Sequence, residues 1–174
     1  RNDKSLFVLG LVCLSFALFT SARGERVINE VFDNLPFWLF LRIQLFTAVG
    51  GGIVLFLYVY TAFRAFCSKW LIRIGIVAGI VLALWTLLLL PWFATNLYRQ
   101  LVTIYVTFSM LHAIYVFVQA TFRKVEGSLY LAIAAVALNV YVLVQNANVY
   151  FGVPVDLLPP FEPFVLLLML ALLM

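Results

Sequence analysis

Apolar runs about as long as a membrane is thick recur along this chain, and they constrain its fold more than any short motif. A helix crossing the roughly 30 Å hydrocarbon core needs about 20 mostly apolar residues. By that measure five complete spans are expected, over residues 5–22, 37–66, 70–93, 98–122 and 129–146, with a sixth starting near Pro163 and cut at Met174. Hydrophobic residues make up 66% of the 174 and charged residues 10%, against about half and a quarter in soluble domains. A water-soluble fold of this size could not hide so much apolar surface. The solvent is therefore lipid, and the expected fold is an all-α, polytopic transmembrane helical bundle occupying the whole of residues 1–174 as one domain. Disorder, a disulfide scaffold and a nucleic-acid-binding domain are excluded by the same composition. With one cysteine in a span (Cys13) and one beside a basic loop (Cys67), no disulfide is expected.

Basic residues orient the spans. With the N-terminus inside, the inner segments hold Arg1, Lys4, Arg64, Lys69, Arg73, Arg123 and Lys124, seven in all, and the outer side Arg23, Arg26, Arg42 and Arg99. The excess of Lys and Arg marks the cytoplasmic face. Trp38, Trp92, Tyr98 and Tyr150 fall at expected outer ends, and Trp70 and Tyr130 at inner ends, as an interfacial aromatic belt requires. The chain starts at Arg1 without Met and stops inside an apolar run, the pattern of a piece of a longer protein. No signal-peptide pattern precedes the first span.

Two outer segments are more than turns. Val27, Val31 and Leu35 recur at helical spacing with Ile28 and Phe32 beside them, so Arg23 to Leu35 reads as an amphipathic helix on the outer surface. Asn148 to Pro163 contains four prolines and reads as a structured loop leading into the last span.

The fourth span carries the clearest polar signal. Tyr105, Ser109, His112 and Gln119 fall at intervals of four, three and seven residues and share one helix face. Such a stripe belongs in a bundle interior. His112, the one histidine, reads either as a pH-responsive or ligand-contacting group or as a neutral imidazole bonded to a neighbouring helix. On the fifth span Ser128, Ala132, Ala135, Asn139 and Asn146 share a face, where small residues permit close approach and a buried Asn can bond across it. Gly75, Gly79 and Ala83 form a small-residue packing row on the third span. In the second, Gln44, Thr47 and Gly51 share a face, and Gly50 to Gly52 mark a closely packed point or a kink. Arg42 lies roughly 8 Å inside the outer end at helical rise. It either snorkels outward or pairs with Glu30, Asp33 or Asp156. Arg42, Gln44, Tyr105, Ser109, His112, Gln119 and Asn139 are thus the candidate interior or switch residues.

No catalytic constellation, cofactor or metal site is expected. One histidine cannot build a multi-histidine metal site, the membrane core lacks Asp and Glu for acid–base work, and no phosphate-binding loop leads from a strand into a helix. An enzyme within this segment is not expected.

Three stretches, RNDKSLFVLGLVCLSFALFTSARGE, NLPFWLFLRIQLFTAVGG and VDLLPPFEPFVLLLMLALLM, resemble the bacterial seven-transmembrane receptors with diverse intracellular signalling modules. The likeness implies that the chain holds the second to seventh spans, since in that family a short cytoplasmic loop like Arg1 to Lys4 follows the first. Arg42, Ile43 and Gln44 stand where the family often shows Arg, an apolar residue and Glu; Gln44 departs from that pattern, so no ionic role is carried over to it. The resemblance implies a receptor in the bacterial inner membrane, with an extracellular sensor domain and a cytoplasmic output domain on the same chain. A histidine kinase is preferred over a diguanylate cyclase as output, and homodimerisation is an open expectation. The competing reading is a small transporter or transporter half, for which Gly50 to Gly52, His112 and Asn139 could supply a broken helix and midplane polar groups.

Overall fold

In lipid, each backbone N–H and C=O must find a partner within its own segment, so long apolar runs become helices. The computed structural model describes residues 3–23, 36–88, 96–125 and 127–151. Five α-helices fill them: α1 (Asp3–Arg23), α2 (Phe37–Ala62), α3 (Lys69–Leu88), α4 (Asn96–Phe122) and α5 (Ser128–Phe151), with a short 3-10 turn over Arg64–Phe66 between α2 and α3. No strand occurs among the described residues. Trp38–Ala62, Lys69–Leu88 and Leu97–Phe122 are each long and apolar enough to cross a membrane, and shorter apolar stretches lie in α1 (Phe7–Phe19) and α5 (Ser128–Val140). The protein is a multi-pass helical membrane bundle.

Side-chain hydroxyls in these helices turn back on their own backbones. Ser15 donates to Leu11 O at 2.8 Å, Thr47 to Ile43 O at 2.8 Å, Thr61 to Leu57 O at 2.9 Å and Thr121 to Phe117 O at 2.8 Å. This bonding lets a hydroxyl enter lipid without an unmet donor.

Two expected boundaries move. The second span was expected to reach Phe66, but α2 stops at Ala62. Phe63 leaves the helix at φ −128° and ψ 38° while its N–H still reaches Val59 O at 2.9 Å. The Cys67 thiol then lies 3.3 Å from Phe63 O and 3.5 Å from Val59 O, a second, weaker contact to carbonyls that already accept from Phe66 N–H and Phe63 N–H. Partial burial pushes that thiol up to about 11, and both Cys13 and Cys67 are free. The first residues of the loop expected from Asn148 are helical, because α5 continues to Phe151. No proline falls within α5, the first being Pro154, so none interrupts its hydrogen-bond ladder. The amphipathic segment beyond Arg23, the rest of the proline-rich loop and the sixth span lie outside the described residues.

The chain divides into two compact units, Arg1–Ser109 and Met110–Met174. In the first, α1 packs along α2 and α2 along α3. Its core gathers Val49 and Phe56 of α2, Ile72 of α3, and Tyr98, Val102 and Tyr105 of α4. Outward positions on α3, among them Val77, Ile80 and Leu84, are apolar and about half exposed, as expected of a helix bathed in lipid.

The second unit contains a tight turn from α4 into α5. Val125 N–H reaches Ala120 O at 3.1 Å and Lys124 N–H reaches Thr121 O at 2.9 Å, with Lys124 left-handed at φ 56°. That pair of bonds is a Schellman ending, with lysine where glycine is usual. Gly127, at φ 77°, reverses the chain, and its carbonyl accepts from Leu131 N–H at 3.2 Å. The Thr121 hydroxyl, bonded to Phe117 O, also lies 3.2 Å from Ser128 Oγ across the turn, and Ser128 donates to Val125 O at 2.6 Å. Ala113, Val116, Phe117, Ala120, Ala132, Ala134 and Leu138 are buried here.

Candidate functional site

The interior polar residues follow the helix faces that the 3.6-residue period defines. On α4, Tyr105, Ser109 and His112 are all buried, at 6%, 2% and 7% exposure, as is Asn139 of α5 at 5%. Gln119 is half-buried.

Tyr105 occupies the tightest contact of the first unit. Its ring lies over Gly52 of α2, where an added Cβ would sit 2.6 Å from Cε1 and 3.4 Å from Ser109 Oγ. Its hydroxyl lies against Gly79 of α3, a position that Ile53 also crowds. The neighbouring Gly75 is equally constrained, because a Cβ there would meet the Phe56 ring at 2.5–2.8 Å. The glycines of α2 and α3 therefore make room for two aromatic rings, whose centroids are 6.3 Å apart. Gly50 to Gly52 remain helical throughout. Gly52 admits both Tyr105 and Ser109, which stand one turn apart on α4, yet the two hydroxyls fare differently. Ser109 Oγ donates to Val106 O at 2.7 Å. The Tyr105 hydroxyl is buried with no hydrogen-bond partner among the described residues.

In the second unit, Asn139 Nδ2 is likewise buried without a hydrogen-bond partner among the described residues. Gln119 does not join a wider polar cluster; its Nε2 donates to the exposed Tyr115 hydroxyl at 2.6 Å. The Ser128 and Ala132 row is buried and Ala135 half-buried; the side chain of Asn146 lies outside what is described.

Arg42 and Gln44 stand apart from Tyr105. The Arg42 guanidinium lies 5.2 Å from the centroid of Trp38, one turn nearer the start of α2. This is a cation–π contact; Glu30, Asp33 and Asp156, the acids expected as alternative partners, lie outside the described residues. Gln44 is half-buried, and its carbonyl accepts from Thr47 Oγ1 at 3.0 Å.

One interhelical bond escaped the sequence reading. Tyr98, assigned there to the interfacial belt, is buried at 5% exposure. Its hydroxyl hydrogen-bonds Thr86 Oγ1 and donates to Leu82 O at 2.8 Å, and its ring lies 5.9 Å from that of Trp85. Thr86 lies seven residues after Gly79 on the same buried face of α3, and extending the Gly75–Gly79 row would have found it. Trp38, Trp70 and Tyr130 are exposed, as belt residues are.

Hydroxyls, an imidazole and amides can form and exchange hydrogen bonds between helices. Among the described residues no three His, Cys, Asp or Glu side chains gather where a metal could bind. No match was found among curated proteins or among solved structures. A family model described as 7TM diverse intracellular signalling matches residues 1–174. The chain belongs to that family of seven-transmembrane receptors, and the bundle is its transmembrane signalling region.

Proposed function

We propose that the bundle relays an extracellular signal to a cytoplasmic output domain of the same chain by rearranging helix contacts, and that it performs no chemistry itself. The observation that carries this reading is a pair of buried polar groups without hydrogen-bond partners among the described residues, Tyr105 OH and Asn139 Nδ2. A buried donor left unmet costs about 1–3 kcal/mol, so any arrangement that supplies a partner gains a comparable amount. An interhelical hydrogen bond in a membrane is worth about 0.6–1.7 kcal/mol, enough to shift a two-state ratio roughly three- to eighteen-fold. Neither group carries charge at neutral pH.

On the family resemblance, the output is read as a histidine kinase in preference to a diguanylate cyclase, the membrane as the bacterial inner membrane, and the sensor as an extracellular domain of the same chain. The test uses the full-length receptor carrying His112→Phe or Asn139→Leu, reconstituted in bilayers. Phosphate transfer from ATP to a histidine, or formation of a cyclic dinucleotide from GTP, reads the output. Normal insertion with basal output changed severalfold is expected in at least one variant. Wild-type output in both would mean that these residues only pack, and the relay would be abandoned.

A further inference from the structure

Between Asn34 and Val125 the sequence contains no Asp or Glu, although it carries seven Lys and Arg. Three of those cations, Arg64, Lys69 and Arg73, cluster where α2 turns into α3. All three are exposed, and no ion pair involves them among the described residues. The Arg64 guanidinium is held 5.7 Å from the centroid of the Tyr60 ring, in the turn leading into α3. Lys69 and Arg73 stand one helical turn apart, about 6 Å along the axis.

The continuation of that face sets this cluster apart from scattered surface charge. At helical intervals of four, four, three and four residues, Lys69 and Arg73 lead into Val77, Ile80 and Leu84, which are 59%, 46% and 51% exposed. The opposite face, with Ile72, Gly75, Gly79 and Thr86, is turned into the protein. Trp70 lies beside the two cations and is 74% exposed, at the depth where indole rings favour the headgroup layer. One stripe of α3 is thus cationic at the membrane surface and apolar along its depth. An anionic phospholipid has the complementary form, a phosphate at the surface and an acyl chain below it.

We propose that Lys69 and Arg73, with Arg64 in the adjoining turn, bind the phosphate of an anionic phospholipid whose acyl chain lies along Val77, Ile80 and Leu84. Inorganic phosphate meets the same cations but lacks the chain, so it binds far more weakly. The site is independent of the polar contacts proposed to relay the signal.

The full chain is placed in phosphatidylcholine nanodiscs containing spin-labelled phosphatidylglycerol, and the immobilised fraction of the label gives its preference over labelled phosphatidylcholine. The wild type is expected to prefer phosphatidylglycerol, and Lys69→Gln or Arg73→Gln to reduce that preference by roughly fivefold each, given the usual worth of one basic residue at an anionic surface. Preference should also weaken as salt screens the charges. Arg99→Gln, which removes an exposed charge elsewhere, should leave it near the wild-type value, and inorganic phosphate at matched ionic strength should not release the lipid. Helical circular dichroism verifies that each single variant is folded. A preference that survives both substitutions, falls equally with Arg99→Gln, or yields to inorganic phosphate overturns the assignment.

Discussion

The turn joining α4 to α5 and the Tyr105 contact treat polar groups in opposite ways. At the turn, Val125 and Lys124 amides cap the end of α4, and the Thr121 and Ser128 hydroxyls bond to backbone and to each other. Polar groups there have partners, so movement would break bonds with nothing gained. At Tyr105 the fit is steric: glycines on two helices admit the ring, while the hydroxyl is buried without a partner among the described residues. A contact held by shape alone, with an unmet donor inside it, gains energy if a partner arrives. On the proposed relay, the turn is expected to act as a fixed joint and Tyr105 as the contact that changes.

The largest effect expected is steric. Gly75→Ala places a methyl group within 2.5–2.8 Å of the Phe56 ring, which is itself only 1% exposed and cannot swing aside. A cost of about 1–3 kcal/mol follows, read as lower resistance to denaturant-induced unfolding in detergent micelles. Gly50→Ala, with nothing within 4 Å of the new methyl, should be neutral or stabilising by up to about 1 kcal/mol. Equal losses in both variants would remove steric fit as the basis of the Tyr105 region.

A smaller effect separates two tyrosines by sign. Tyr98→Phe removes hydrogen bonds to Thr86 and to Leu82 O, so stability should fall by about 1 kcal/mol. Tyr105→Phe removes a buried hydroxyl with no partner among the described residues, so stability should hold or rise. Matched losses from the two substitutions would show that the Tyr105 hydroxyl is satisfied after all.

The smallest effect belongs to the turn. Lys124 holds a left-handed conformation at φ 56°, which costs a side-chain-bearing residue roughly 1 kcal/mol. Lys124→Gly should recover up to that amount, whereas Lys124→Ala, which keeps the Cβ, should recover none. A gain from alanine equal to that from glycine would place the benefit in the lost charge and not in the backbone.

Much of this organisation is legible in the residue pattern because helix periodicity and lipid demand act locally. The spacing of Gly75 and Gly79 marked a packing row, and that of Tyr105, Ser109 and His112 an interior face. Contacts between distant segments were less visible. Tyr98 near a span end fits an interfacial belt equally well until Thr86, twelve residues earlier, is placed opposite it. The end of α2 at Ala62 escaped for a different reason: Phe63 is buried and apolar whether or not it is helical, so hydropathy does not register the break. Nor could spacing distinguish Ser109, which satisfies itself on Val106 O, from Tyr105, whose longer side chain carries its hydroxyl beyond its own backbone.

On the proposed relay, a buried polar group without a partner biases the receptor between states, whereas a satisfied one only holds helices together. Basal output of the full-length receptor carrying Tyr105→Phe, measured beside Tyr98→Phe at matched membrane levels, tests it most directly. Tyr105→Phe is expected to change output severalfold at undiminished stability, and Tyr98→Phe to leave output close to wild type despite its lower stability. Unchanged output from Tyr105→Phe together with altered output from Tyr98→Phe would contradict it.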